Sequence, residues 1–383
     1  MTHVFVSTQP DDAHAAAVLL VLAARGHRVT RWFGGDFPGR QSISVRVGDA
    51  TAPSFAFEGP DLAHDGDGLD VVWHRRPVSP RVPRAELHPD DVAHAEAENH
   101  EFFHSMLAAF ARDAVWINGI DAKRRASSKL LQLAEARAVG FAVPETLCSN
   151  DAAAIREFVG QAPPGQTIHK SFLPLQWGLA DGIATSGTAI VTPQNLPSDR
   201  ILRLTPGIFQ RRIAKRHEVR ATFFGDHAVA VAIDSQRHPD AHVDWRSVPA
   251  CERPLAPIEL PAEVHRKAAL IMRRLDLLFG SFDFVVTPDG EYVFLEVNEA
   301  GQFLWKEDQC PELPLLDLCC EFLVAPSRDF RYREQQSRVR LADVAGSPEF
   351  AALRARDVAI HGEVTAPWRG PTPAVAPPSA RIT

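Results

Sequence analysis

Several things are scarce in this 383-residue chain, and each scarcity removes a class of function. Five cysteines (Cys148, Cys251, Cys310, Cys319, Cys320) form no Cys-x-x-Cys spacing. That sets aside zinc sites and disulfide frameworks and points to a reducing compartment, with adjacent Cys319 and Cys320 reading as buried helix positions. Positive charge is not in excess: 41 Lys and Arg stand against 48 Asp and Glu, a net charge of −7. This argues against broad binding to nucleic acid or to anionic membranes. Long apolar runs are missing too, and the best apolar helix candidate, Ala15 to Ala24, is too short to cross a bilayer. The opening MTHVFVSTQPDD has no basic stretch followed by an apolar one, so no signal peptide and a cytoplasmic location are expected. The first strand-to-helix turn, Ser7-Thr8-Gln9-Pro10, carries no glycine fingerprint, which excludes a dinucleotide site there. Neither a GxxxxGK[ST] loop nor a kinase HRD or DFG set occurs.

What is present begins with a β-α-β opening: a strand at Val4 to Ser7, a helix over Asp11 to Arg25, and a strand at His27 to Phe33. Ser42 to Val47 and Ser54 to Phe57 alternate as a hairpin. A strand at Asp70 to Pro77 ends in basic residues, a helix spans Asp90 to Ala111, and a strand covers Ala114 to Asn118. Ala122 to Val139 reads as one helix with Lys129 inside it. From Thr167 the texture becomes β, and His217 to Phe224 alternates strictly, with Glu218, Arg220 and Thr222 on one face. Pro261 to Leu278 is an amphipathic helix. These changes place boundaries near residues 120 and 200, and the Pro-rich last fifteen or so residues are expected to be poorly ordered.

The most telling stretch runs from Gly280 to Trp305. Two apolar strands flank the turn Pro288-Asp289-Gly290. Asp283 lies on the first, while Glu296 and Asn298 are two apart on the second and share a face. Paired antiparallel, the strands bring two carboxylates and an amide together, a hard-oxygen set that suits Mg²⁺ and accompanying phosphates better than zinc. The same pattern also serves a polar hairpin face. An unpaired carboxylate inside Phe294-Leu-Glu-Val297 is costly, which favours the metal.

Other parts complete a site for a nucleoside triphosphate. Lys129 and Lys170 lie on separate elements and supply charge for phosphates, although each alone is an ordinary surface lysine. Gly178 to Gly187 is a loop of small residues that exposes backbone N–H groups, or else a flexible hairpin turn. Gln210 to Ile213 is a strand exit able to hold a base.

The order of these motifs resembles the ATP-grasp superfamily, and within it the graspetide (microviridin-type) peptide ligases. The matching stretches are Trp73-His-Arg-Arg-Pro77, Trp116-Ile-Asn118, Ser128-Lys-Leu-Leu-Gln-Leu133, Gly140-Phe-Ala-Val-Pro-Glu-Thr146 and His169-Lys170. They continue with Phe209-Gln-Arg-Arg-Ile213, Glu218-Val-Arg220, Asp244-Trp-Arg246 and Phe294-Leu-Glu-Val-Asn-Glu-Ala-Gly-Gln-Phe-Leu-Trp305, covering about residues 1 to 325. The last of these, with Asp-Trp-Arg, is the specific part.

The resemblance implies an α/β and α+β protein of ATP-grasp fold, with ATP between two β-sheets. Residues 1–120 would be a pre-ATP-grasp domain, 121–200 a central α/β subdomain, 201–325 the C-terminal ATP-grasp domain, and 326–383 an extension. It implies that Lys129 and Lys170 contact the phosphates of ATP, that the loop with Gly182, Ser186 and Gly187 closes over them, and that Gln210, Arg211, Arg212 and Ile213 form the adenine hinge. Glu218 would bind the ribose, and Asp283, Glu296 and Asn298 would ligate Mg²⁺. Arg220 and Arg246 would stabilise the transferred phosphoryl group. The implied activity is ATP-dependent macrocyclisation of a ribosomal precursor peptide, which docks through its leader and reacts in its core. Asp or Glu side chains become acyl phosphates that Ser, Thr or Lys side chains attack, giving esters or amides. A homodimer is expected by analogy. Two competing readings keep part of this: a ligase for a free amino acid or small amine, and a non-catalytic nucleotide-binding module.

Overall fold

The computed structural model describes residues 1–48, 52–173, 176–179, 182–185, 187–248, 254–333 and 338–362. The N-terminal part is a parallel sheet in the order Arg28–Trp32, His3–Ser7, Val71–His74, Val115–Ile117. The connecting helix Ala13–Ala24 starts where the Asp12 carboxylate accepts from the N–H groups of His14 and Ala15, and it ends at Gly26, whose φ of +78° suits glycine. This helix is apolar all round because it is covered all round. One side lies on the sheet and the other meets helices of the C-terminal region. A second, antiparallel sheet (Ser42–Arg46, Ser54–Gly59, Leu62–His64) closes an aromatic core containing Phe5, Trp32, Phe57, Phe103 and Phe110.

Besides the short hairpin Gln176–Leu179 with Gly182–Thr185, two larger antiparallel sheets follow. The smaller has the order Ala189–Val191, Thr167–Lys170, Gly207–Arg211, Thr146–Ser149, with helices Ala152–Gly160 and Asp199–Leu204 packed on it. The larger runs Leu255–Ile258, His227–Ile233, His217–Phe224, Phe279–Val286, Tyr292–Asn298. Its middle strand alternates in sequence yet is buried on both faces. Val219, Ala221 and Phe223 join a core with helix Ala262–Arg274, whereas Glu218, Arg220 and Thr222 are buried polar groups on the opposite face. The hairpin expected at the heart of the chain is present as Phe279–Val286 paired with Tyr292–Asn298.

The single helix expected over Ala122 to Val139 is two helices, Ile120–Ala126 and Lys129–Ala138. The break has a local cause: Ser128 takes an extended conformation and its hydroxyl accepts from Leu131 N–H as an N-cap. Lys129 therefore opens a helix rather than sitting inside one. The edge strand Leu255–Ile258 escapes a sequence reading because Pro254 and Pro257 flank and interrupt it.

Beyond residue 325 the chain is not a loose tail as far as it is described. Helices Leu341–Ala345 and Pro348–His361 dock on the N-terminal part. Phe350 is buried in the core around helix Ala13–Ala24. Buried His361 places Nδ1 2.6 Å from Asp36 Oδ2, Asp357 pairs with Arg31, and Arg356 pairs with Asp61 at 2.6 Å. Residues 363–383, including the expected disordered end, lie outside the described residues. Truncating the buried Phe350 of this strap, Phe350→Ala, should cost about 3 kcal/mol of unfolding free energy, read by urea denaturation. An unchanged midpoint would mean that the strap does not stabilise the N-terminal part.

Candidate active site

Pairing along the large sheet decides which side chains meet. Asp283 lies opposite Glu296, Ser281 opposite Asn298, and Arg220 opposite Asp283 on the other flank. An irregularity follows directly after Asp283, where the register shifts before Phe284. Asn298 Nδ2 is 3.1 Å from Asp283 Oδ2 and 3.4 Å from Glu296 Oε1, so the three groups expected to hold a metal converge. Two carboxylates so close need positive charge. Arg220 Nη1 lies 2.5 Å from Asp283 Oδ2, and Lys129 Nζ lies 2.7 Å from Glu296 Oε2. Arg246 Nη2 spans both, at 3.6 Å from Asp283 Oδ2 and 3.7 Å from Glu296 Oε1.

Each cation arrives from a different element, and each is set in place locally. Lys129 is the first residue of its helix, and buried Gln132, one turn on, ties that helix to the edge strand. Gln132 Oε1 accepts from Val297 N–H at 2.9 Å and its Nε2 donates to Val297 O at 2.8 Å, completing the ladder the edge strand lacks. That clamp lies between Glu296 and Asn298 and brings Lys129 to Glu296. Arg246 lies within the turn Trp245–Ser247, which is capped by Asp244 accepting from Arg246 N–H at 3.0 Å. Lys170 comes from the small sheet, yet Glu296, Asp244 and Arg246 of the large-sheet side all act on it electrostatically. Burial lowers its ammonium below the usual lysine value, Glu296 opposes this and Lys129 adds to it. Lys170 of the small sheet thus lies within electrostatic reach of the carboxylates and cations gathered on the large one.

The remaining expected residues are placed less uniformly. Glu218 is buried with Lys215 Nζ 2.6 Å away, and burial raises its carboxyl above the usual range despite that partner. Gln210 is buried and bonded to Thr146 Oγ1 at 2.9 Å. The Arg211 guanidinium turns away from the cleft elements: it stacks 3.9 Å over the Phe158 ring, bonds Phe158 O and Thr167 Oγ1, and pairs with Glu145. The Arg211 and Arg212 amides are also spent, on Glu145 O and Gln166 O. Gly182 lies in the hairpin Gln176–Leu179 and Gly182–Thr185, Ser186 falls outside the described residues, and Gly187 is exposed.

Three supporting residues were not singled out from sequence. Arg75 is buried, and its Nη1 donates to the carbonyls of Ala300 and Gly301 at 3.0 and 3.1 Å, fixing the loop just past Asn298. Asp12, 3.3 Å from its Nε, balances it. Asn118 uses both ends of its amide, donating to Phe279 O and Glu299 O and accepting from the Leu278 and Phe279 N–H groups. Both lie within quoted motifs but read there as strand ends. Lys306 is the third.

The donor set of two carboxylates and an amide suits Mg²⁺. Burial alone would raise Glu296, but Lys129, with Arg246 and Lys170 behind it, brings its carboxyl down to about 2. Because this is below the unfolded value of 4.5, the stability Glu296 contributes is full above that value and is lost as pH falls through about 2. In Lys129→Met, burial gains the upper hand and the carboxyl should titrate well above its wild-type position. Carboxyl-carbon NMR titration of the metal-free protein checks this, and an unmoved titration would remove Lys129 as the cause.

No family model and no curated protein matches the chain. Solved structures do. An ATP-grasp ligase from Chryseobacterium gregarium, associated with ribosomal peptide modification and solved with ADP and a leader and core peptide, superposes with a TM-score of 0.77 at 24% identity, over 87% of this chain and 100% of that one. The macrocyclase MdnC from Microcystis aeruginosa, bound to its precursor peptide MdnA, gives 0.73 at 24% identity, over 85% and 99%. The macrocyclase MdnB of the same organism gives 0.70 at 25% identity, over 85% and 100%. The fold of this chain is the ATP-grasp fold.

Proposed function

We propose that the chain is an ATP-dependent ligase that activates Asp or Glu side chains of a ribosomal precursor peptide and closes macrocyclic ester or amide links. The observation that carries this reading is the convergence of Asp283, Glu296 and Asn298 with Lys129, Arg220 and Arg246, with Lys170 of the smaller sheet within electrostatic reach. The likeness to peptide-bound ligases and macrocyclases supports the choice of substrate.

Asp283, Glu296 and Asn298 would hold Mg²⁺, which supplies charge neutralisation for the phosphates. Lys129 and Lys170 bind phosphate oxygens. At the hinge the Ile213 amide, which makes no hydrogen bond among the described residues, is the donor left to meet a base. A carboxylate is a poor acyl donor, so the terminal phosphoryl group of ATP passes to it, giving ADP and an acyl phosphate. Arg220 and Arg246 stabilise the charge that develops on the transferred group. A hydroxyl or amine of the same peptide then attacks the acyl carbon, loses its proton, and phosphate leaves. No enzyme nucleophile is needed; the chain contributes orientation and electrostatics. A homodimer working in the cytoplasm belongs to this reading.

The test is mass spectrometry of the peptide encoded beside the gene after incubation with the chain, ATP and Mg²⁺. Loss of one water mass per ring is expected, and neither Glu296→Gln nor Asn298→Ala, both folded, should produce it. An unchanged peptide with ATP hydrolysis stimulated by a free amino acid would replace the peptide by a small substrate. No hydrolysis at all would leave a binding module.

A further inference from the structure

The residue directly after the hairpin motif that ends at Trp305 is a lysine, and it is fully buried. Lys306 leaves the short helix Trp305–Gln309 and ends with Nζ 2.8 Å from Thr222 Oγ1 and 3.3 Å from Val229 O. Its two hydrogen-bond partners are neutral, and the charged groups acting on it are Arg220 and Asp283. Thr222 in turn shares a 2.9 Å hydrogen bond with Ser281 Oγ, its partner across the strands. The next pair along the same face is Arg220 with Asp283. The layer has no slack: a Cβ on Gly301 would lie 2.7 Å from Ser281 Cβ and 2.9 Å from Arg220 Nη2.

A buried lysine is costly, and a methionine or leucine would fill the same volume at less cost. An apolar side chain would still leave Thr222 and Ser281 bonded to each other. What only the lysine adds is a third polar group behind the strand pair that carries the arginine and the carboxylate. We propose that Lys306 is a positioning residue for the phosphoryl-transfer site, acting through Thr222 and Ser281 to hold Arg220 and Asp283 in their reacting arrangement. This rests on the ligase reading above. Burial, reinforced by Arg220 and opposed by Asp283, drives the amine well below the usual lysine value. Its Nζ donates to Thr222 Oγ1 and to Val229 O, so its hydrogen bonds leave the Asp283 carboxylate to Arg220.

The test compares wild type, Lys306→Met, Thr222→Val and the double variant. Each is measured for melting temperature, for Mg·ADP affinity by calorimetry, and for steady-state ADP formation with the peptide encoded beside the gene. Lys306→Met should lower kcat about ten- to a hundredfold, with KM for ATP, Mg·ADP affinity and melting temperature near the wild-type values. Thr222→Val should show the same split, and the double variant should be no slower than Lys306→Met, because both act through one chain of hydrogen bonds. Wild-type kcat in Lys306→Met, additive losses, or losses that merely follow a lowered melting temperature would overturn the proposal. A wild type that binds no Mg·ADP would overturn the ligase reading and this inference together.

Discussion

Everything at the charged cleft depends on one unfavourable juxtaposition: Asp283 and Glu296 stand opposite each other on paired strands, with both carboxylates within reach of one Asn298 amide. Like charges directly across a ladder repel, and half-buried ones repel more strongly than exposed ones. The hairpin cannot hold them alone. Arg220 comes from the neighbouring strand, Arg246 from a turn, Lys129 from a helix start, and Lys170 from the facing sheet. A pair of carboxylates on one hairpin therefore draws four parts of the chain to a single place.

The supports behind these charges are hydrogen bonds to backbone rather than further charges. Gln132 completes the open edge between Glu296 and Asn298, Arg75 holds the carbonyls of Ala300 and Gly301, and Asn118 ties Leu278 and Phe279 to Glu299. Arg75 and Asn118 both sit at the C-terminal ends of strands in the N-terminal parallel sheet. That edge is where parallel sheets present their loops, and here it grips the loop that follows the carboxylate hairpin. The N-terminal sheet is thereby structurally continuous with the cleft.

The hairpin was legible in sequence because an alternating strand, a Pro-Asp-Gly turn, a second apolar run and polar residues two apart leave little choice of face. The ATP-grasp order of motifs was legible as a resemblance, carried by the quoted stretches and most specifically by Asp244-Trp-Arg246 with Phe294 to Trp305. The break at Ser128 was not, since a serine between helix-forming residues reads equally as a helix interior until its hydroxyl is seen to cap. Lys306, Asp357 and His361 were missed because charged and titratable side chains are expected in solvent. Their burial is set by partners far away in the chain, Thr222, Arg31 and Asp36, which no local window contains. The Arg211 guanidinium is likewise held by distant partners, Phe158 and Glu145, that no local window contains.

The charge balance of the cleft constrains how a nucleotide can enter the proposed ligase. Lys129 and Arg246 spend their charge on Glu296 and Asp283. Either cation can turn to a phosphate oxygen only if the carboxylate it leaves gains another positive partner, because an abandoned buried carboxylate costs several kcal/mol. A divalent cation arriving without phosphate would add charge to a site already rich in it, and phosphate arriving without the cation would strip Glu296 of its lysine. The arrangement favours the two together. In the proposed ligase, exchange of partners at Lys129 and Arg246 would then be a single event, in which their ion pairs with Glu296 and Asp283 give way to those that hold the nucleotide.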